Sequence, residues 1–145
     1  MTDDRTVLYW DSSAILSVTF NDVHETAARE HFHRPGKHLV SSLVSSLARA
    51  ECSSVIARAV KVGDMAASLG DHAIGSIART PWVALAAAPT PTTLRTLAHR
   101  YPLRGADLWH LAFTVDLAED LPELRLLTFD SVLDAAARAE GLALD

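Results

Sequence analysis

The segment "LRLLTFDSVL", residues 124–133, decides how this chain must fold. It opens as a mainly apolar run of strand length and then delivers the chain straight into Asp130. Asp130 is placed to cap a helix over residues 132–140, its side chain accepting a bond from an unpaired backbone N–H. The same construction stands near the start, where "VLYWDSSAIL" runs Val7, Leu8, Tyr9 and Trp10 into Asp11 with two serines behind it. Capping explains either aspartate alone. Two at equivalent strand ends direct attention to the remaining acidic residues.

Short apolar runs alternate with longer periodic stretches along the chain. Residues 7–10, 39–42, 83–86 and 124–129 read as buried strands, and 142–144 as a final short one. Helical spacing covers residues 13–20, 25–33, 45–62, 64–78, 92–99, 106–118 and 132–140. Strands separated by helices predict an α/β fold, with a parallel sheet of four to five strands covered on both faces. "APTPTT", residues 88–93, is the most loop-like piece and reads as a strand-to-helix turn. No linker or repeat divides the chain, so residues 1–145 are expected to form one domain.

The 145 residues suffice for one core, since a domain of about 150 residues buries roughly 68–70% of its unfolded surface. Thirteen Lys and Arg against 18 Asp and Glu give a formal charge of −5, which argues against generic electrostatic binding of nucleic acid. Any such binding must be local. "MTDDRTVLYW" is acidic where a secretory leader would be basic, and "WVALAAA" is too short to cross a bilayer. Cys52 is the only cysteine, so no internal disulfide and no Cys-rich metal cage is available. A soluble cytoplasmic protein without a membrane partner is expected.

Two further carboxylates fit poorly with a purely structural role. In "SSLARAECSSVIARAVKV", Leu47, Glu51, Val55 and Val62 share one helical face, which places Glu51 in an apolar stripe. The positions three and four residues away hold Leu47, Ala48, Ser54 and Val55, so no cation within a turn compensates its charge. Arg58 two turns on, or a distant residue, remains as a partner. Asp107, in "LRGADLWHLAFTVDLAED", shares a face with Leu111, Val115 and Ala118. As a first-turn aspartate it also suits the helix dipole and a pairing with Arg104.

Ligands of open parallel sheets bind beyond the carboxyl ends of the strands, which is where Asp11 and Asp130 fall. A carboxylate cluster without His or Cys partners suits a hard cation such as Mg²⁺ or Mn²⁺. Such an ion activates water, stabilises charge building on a phosphate, and reconciles an acidic protein with a polyanionic substrate.

The four motifs in order, "YWDSSAIL", "SSLARAE", "LRGADLWHLA" and "LLTFDSVLDAAARAEGL", resemble the PIN-domain family. In particular they resemble the VapC-type ribonuclease toxins of type II toxin–antitoxin pairs, over nearly the whole chain. The resemblance implies a three-layer α/β/α sandwich. It also implies an endoribonuclease in which Asp11, Glu51, Asp107 and Asp130 are both catalytic residues and ligands of Mg²⁺ or Mn²⁺, hydrolysing RNA phosphodiester bonds by metal-activated water. A homodimer and a small cognate antitoxin lying across the groove are its implied partners. Two positions depart from the family pattern: Trp109 stands where relatives usually carry a small residue, and Ser131 where they often carry a basic one.

Ser12 and Thr128 are candidates to orient the aspartates or a water, and Arg104 to contact substrate. Asp116 lies opposite Asp107 on the wheel and is expected to be solvated, while Asp134 fits a local capping arrangement. The seven histidines are scattered and read as surface residues, and Cys52 as a small packed side chain. "REHFHRPGKH" and "LRTLAHRYPLR" gather Arg29, Arg34, Lys37, Arg95, Arg100 and Arg104 with Phe32 and Tyr101, either to hold RNA or as solvated loops. A non-catalytic PIN-fold RNA- or protein-binding module is the alternative function. A receiver-like phosphotransfer domain would want an acidic pair after the first strand and a lysine near the last. A Rossmann nucleotide binder would want a glycine-rich loop there.

Overall fold

The computed structural model describes residues 5–20 and 40–145. The expected helix over residues 25–33 lies outside them, as do His24, Arg29, His31, Phe32, His33, Arg34, Lys37 and His38. Four strands are described: β1 (Thr6–Trp10), β2 (Val40–Ser45), β3 (Val83–Leu85) and β4 (Leu124–Leu127). Six helices accompany them: α1 (Ser12–Phe20), α2 (Ser46–Val62), α3 (Ala67–Arg79), α4 (Pro91–Arg100), α5 (Gly105–Asp120) and α6 (Ser131–Ala139).

The strands form one all-parallel sheet in the order β3-β2-β1-β4. Period-two alternation sends neighbouring side chains to opposite faces, and both faces are apolar. Leu8, Trp10, Val44 and Leu127 turn to one side and pack on Ala14 and Ile15 of α1, Ala48, Cys52 and Ile56 of α2, and Ala73 and Ile77 of α3. Tyr9, Leu43, Leu124 and Leu126 turn to the other and pack on Leu97 of α4, Leu111 and Phe113 of α5, and Leu133 and Ala137 of α6. The result is a three-layer α/β/α sandwich.

Strand order fixes where a site can open. From β1 the chain moves outward to β2 and β3, then crosses to β4 on the other flank of β1. The helix after β1 packs on one face and the helix after β4 on the other. The carboxyl ends of β1 and β4 therefore flank the switch point of the sheet, the usual position for a ligand crevice.

Several boundaries and faces differ from the sequence expectation. β2 runs three residues further, to Ser45, because Leu43, Val44 and Ser45 pair with β3. β3 is not buried: as the sheet's edge it pairs only with β2, and Val83 is 53% exposed. The expected last strand is reduced to one parallel bridge between Leu126 and Ala143.

α2 presents a different face from the one the wheel selected. Ala48, Cys52 and Ile56 are its buried residues, whereas Val55 and Val62 are 41% and 70% exposed. The helix ends at Gly63, whose φ of 86° is the left-handed conformation glycine adopts without strain. At Gly70 of α3 an added Cβ would stand 2.6 Å from the Val60 side chain, so glycine is what permits α2 and α3 to approach.

The turn into α4 forms as expected, with Thr90 as N-cap and Pro91 at the first helical position. Asp116 of α5 is half-buried and does more than face solvent. It accepts the Thr90 N–H at 2.6 Å and the Thr93 hydroxyl at 2.5 Å, completing the start of α4.

These packing assignments predict a contrast in α2. Ile56→Ala should cost about 2–5 kcal/mol as a cavity in a closed core. Val55→Ala should stay within about 0.5 kcal/mol, as exposed substitutions do. Urea unfolding of both variants checks the face; equal losses would restore the stripe chosen from the sequence.

Candidate functional site

The end of β1 and the end of β4 are tied together by side chains where the backbone ladder stops. Asp11 N–H donates to the Leu127 carbonyl at 3.2 Å, the last backbone link between the two strands' ends. Beyond it the Asp11 carboxylate, 3% exposed, takes over. Oδ2 accepts the Thr128 hydroxyl at 2.5 Å. Oδ1 accepts the Ser13 hydroxyl at 2.7 Å and the Ala14 N–H at 3.0 Å, which caps α1. Ser13 Oγ in turn accepts the Phe129 N–H at 2.9 Å, and Thr128 Oγ1 the Asp130 N–H at 3.1 Å.

Thr128 thus holds the place expected for it, but the serine that orients Asp11 is Ser13. Ser12 lies half-buried beside Glu51, lining a groove of about 310 Å³ along α2 with Leu47, Val55 and Arg58. Its carbonyl accepts the Cys52 thiol at 3.8 Å.

Asp130 is the N-cap of α6, its Oδ1 accepting the N–H groups of Val132 at 3.0 Å and Leu133 at 2.8 Å. Both strand-end aspartates therefore start helices. Capping does not explain the choice at Asp11, however. Asparagine caps as well, without a charge in a site closed to water.

Burial raises the Asp11 pKa above its ordinary value, against the lowering effect of Thr128, Ser13, the Ala14 N–H and His110. Asp107, in the first turn of α5 and half-buried, is also raised. Burial is the main cause, followed by the charge of Asp130, with Asp11 and Glu51 adding to it. All four candidate carboxylates thus bear on one region, and Asp107 is where their repulsion is felt.

Glu51 has a partner of its own. It is 27% exposed at its side chain rather than buried in a stripe, and its Oε1 lies 2.5 Å from His110 Nε2. α2 offers no cation three or four residues away, and the hydrogen-bonding partner comes from α5. His110 is itself 1% exposed, which corrects its reading as a surface residue; His72 and His99 are exposed as expected. Its spacing three residues after Asp107 puts both on one face of α5, the one signal in the sequence that pointed to it.

Cys52 is packed as expected. Burial first, then the Glu51 and Asp11 charges, push its thiol up to about 12, so it is no thiolate nucleophile at neutral pH.

Arg104 is exposed at the N-cap of α5, and among the described residues no ion pair joins it to Asp107. Arg100 pairs with Glu140 at 2.5 Å and the Tyr101 hydroxyl donates to the same oxygen at 2.7 Å. Trp109 stacks on Phe113, ring centroids 4.9 Å apart. Asp134 pairs with Arg138 one turn on, at 3.5 Å.

Four oxygen donors at one sheet edge suit a hard divalent cation in chemistry and charge. They are not a closed cage: among the described residues, no group of three His, Cys, Asp or Glu side chains is arranged to hold a metal ion. No helix among the described residues is long and apolar enough to cross a membrane.

No protein-family model matches this chain, and no curated protein matches it. Among solved structures, it is similar to the crystal structure of PAE2754 from Pyrobaculum aerophilum. The TM-score is 0.67 at 16% identity, over 97% of this chain and 89% of that one. At that identity the likeness concerns the fold.

The buried charge has a pH signature. With its folded pKa raised, Asp11 holds a proton in the native state over a window where the unfolded chain has lost it. Its contribution is therefore fully present below the ordinary value of 3.8 and is lost as pH rises through the raised one. In EDTA at pH 7, Asp11→Asn should melt higher than the wild type. The gap should narrow as pH falls towards 4, as followed by circular dichroism. A variant that melts lower at pH 7 would show that the charge stabilises the metal-free fold.

Proposed function

We propose that this protein is a divalent-cation-dependent endoribonuclease of the PIN type, the VapC-like toxin of a toxin–antitoxin pair. The observation that carries this reading is the grouping of Asp11, Glu51, Asp107 and Asp130 around the switch point of the sheet, with the Asp11 carboxyl buried at the end of β1. That arrangement costs stability in the absence of a cation, and neither strand pairing nor capping requires it.

Asp11, Asp107 and Asp130 would hold Mg²⁺ or Mn²⁺, with Glu51 joining through the oxygen not used by His110. The bound cation supplies positive charge against a phosphodiester and lowers the pKa of water. The chain's own residues hold the site in shape. Thr128 and Ser13 fix both oxygens of Asp11, and the α6 N-terminus fixes one oxygen of Asp130.

Substrate contacts fall on either side. Arg58 lies about 10 Å along α2 from Glu51, at 1.5 Å per residue, in the same groove. Arg104 approaches from the start of α5. Both suit the flanking phosphates of a single-stranded RNA segment. Exposed Val55, Val62 and Leu69 on α2 and α3 supply apolar surface for a protein partner, a cognate antitoxin or a second copy. Because Val55 lines the groove of Glu51, a segment bound there would cover the carboxylates. On this reading the protein works in the cytoplasm.

A second reading, a non-catalytic PIN-fold module that binds RNA or protein, is favoured by one observation. The carboxylates do not close into a ready cage, and both oxygens of Asp11 already accept hydrogen bonds.

Cleavage of a mixed pool of structured RNAs with Mg²⁺, with Mn²⁺ and with EDTA decides between them. Metal-dependent cuts that fall at least 100-fold in Asp11→Asn are expected. RNA retained on filters without cuts in either metal would establish the binding module instead. In the same assay, Arg58→Gln and Arg104→Gln should each weaken binding and flatten the dependence of log Kd on log salt by about 0.7, the value of one phosphate contact on a single strand. Unchanged slopes would place the RNA elsewhere.

A further inference from the structure

Behind the carboxylate edge a chain of polar groups runs into the core, and the cation reading makes no use of it. Both ring nitrogens of the buried His110 are engaged: Nε2 by Glu51 Oε1, and Nδ1 by the Tyr9 hydroxyl at 2.6 Å. Tyr9 is fully buried, and its oxygen lies 2.7 Å from Ser45 Oγ. Ser45 is the N-cap of α2 and accepts the Ala48 N–H at 3.1 Å. Residues of β1, β2 and α5 thus join the start of α2 to Glu51, at the helix's second turn.

Donor counting gives the chain a direction. A carboxylate only accepts, so Nε2 donates to Glu51. With a neutral imidazole, Nδ1 accepts the Tyr9 O–H, Tyr9 accepts the Ser45 O–H, and Ser45 accepts the Ala48 N–H. Every member is satisfied inside the core. Burial pushes the Tyr9 phenol up, so it keeps the proton the chain needs. A side chain required for volume alone would be aliphatic here. This one is polar at both ends, and it ends on the acidic residue of α2.

We propose that His110, anchored by Tyr9 and Ser45, is a positioning residue. It fixes the Glu51 carboxylate at the edge shared with Asp11, Asp107 and Asp130 by engaging Oε1, leaving Oε2 for a divalent cation. The inference rests on the cation reading of the site. A free glutamate has three rotatable bonds to order on binding, and Glu51 is ordered beforehand by a rigid ring whose far side is held in the core.

The test titrates Mn²⁺ calorimetrically into wild type, His110→Gln, His110→Asn and Tyr9→Phe, with a thermal melt of each to confirm folding. The glutamine amide nitrogen reaches the place of Nε2 and keeps the donor to Glu51; asparagine reaches only the place of Nδ1. Mn²⁺ affinity should fall about 10–100-fold in His110→Asn, as for other groups that orient metal ligands. It should recover most of that loss in His110→Gln and fall less in Tyr9→Phe, which removes one oxygen and keeps the ring. Should the His110 variants fail to fold, Tyr9→Phe carries the test, and a loss of Mn²⁺ affinity without unfolding supports the proposal. Wild-type affinity in Tyr9→Phe and His110→Asn alike, or equal losses in asparagine and glutamine, would overturn positioning and leave the cation reading standing. No Mn²⁺ uptake by the wild type would overturn the cation reading and this inference together.

Discussion

At the carboxyl ends of β1 and β4 the backbone ladder runs out, and one buried carboxylate takes over from it. Asp11 receives hydroxyls from Thr128 and Ser13, and the same two side chains accept N–H groups from the 129–130 segment. The clasp joins residues more than 100 apart in sequence. It also fixes the launch points of α1 and α6, whose first turns are capped by Asp11 and Asp130. The crevice at the switch point owes its shape to this exchange of hydrogen bonds, and its chemistry to the charge at its centre.

That charge propagates outward. A buried anion tolerates few like charges nearby, yet Asp107 is placed where it feels three others. The fold answers the repulsion differently at each position. Asp11 is surrounded by donors, Asp130 draws on the α6 N-terminus, and Glu51 is turned towards a histidine that reaches it from across the core. Each of these contacts uses part of a carboxylate's accepting capacity.

The layers were legible in the sequence because a parallel sheet covered on both faces needs near-continuous apolar strands, and 7–10 and 124–129 supply them. The strand-end aspartates followed from the same pattern. What failed depended on tertiary contact. The wheel placed Glu51 with Val55 and Val62, but α2 rotates to bury Ala48, Cys52 and Ile56 in the cluster that holds Leu8 and Trp10 of β1 and Val44 of β2. Asp116 looked solvated because its partners, Thr90 and Thr93, lie more than 20 residues away in sequence. His110 was lost among scattered histidines, since only the fold reveals that Tyr9 and Glu51 stand on either side of it. Ser12 and Ser13 differ by one position at a helix start, and the turn geometry after Asp11 chose between them.

The charge balance of the surface gains meaning from this geometry. A chain with formal charge −5 repels a polyanion over most of its surface, so productive approach requires local cations. Arg100 is drawn away by Glu140 and Arg138 by Asp134, and both lie off the carboxylate edge. Among the described cations, Arg58 stands along α2 in the groove of Glu51 and Arg104 before α5. On the proposed reading, a strand held between them passes over the four carboxylates. The remaining charge to be overcome is then that of the site itself. A divalent ion bound there converts the most repulsive point of the surface into the most attractive one, so cation binding and substrate binding should be coupled in sign as well as in place.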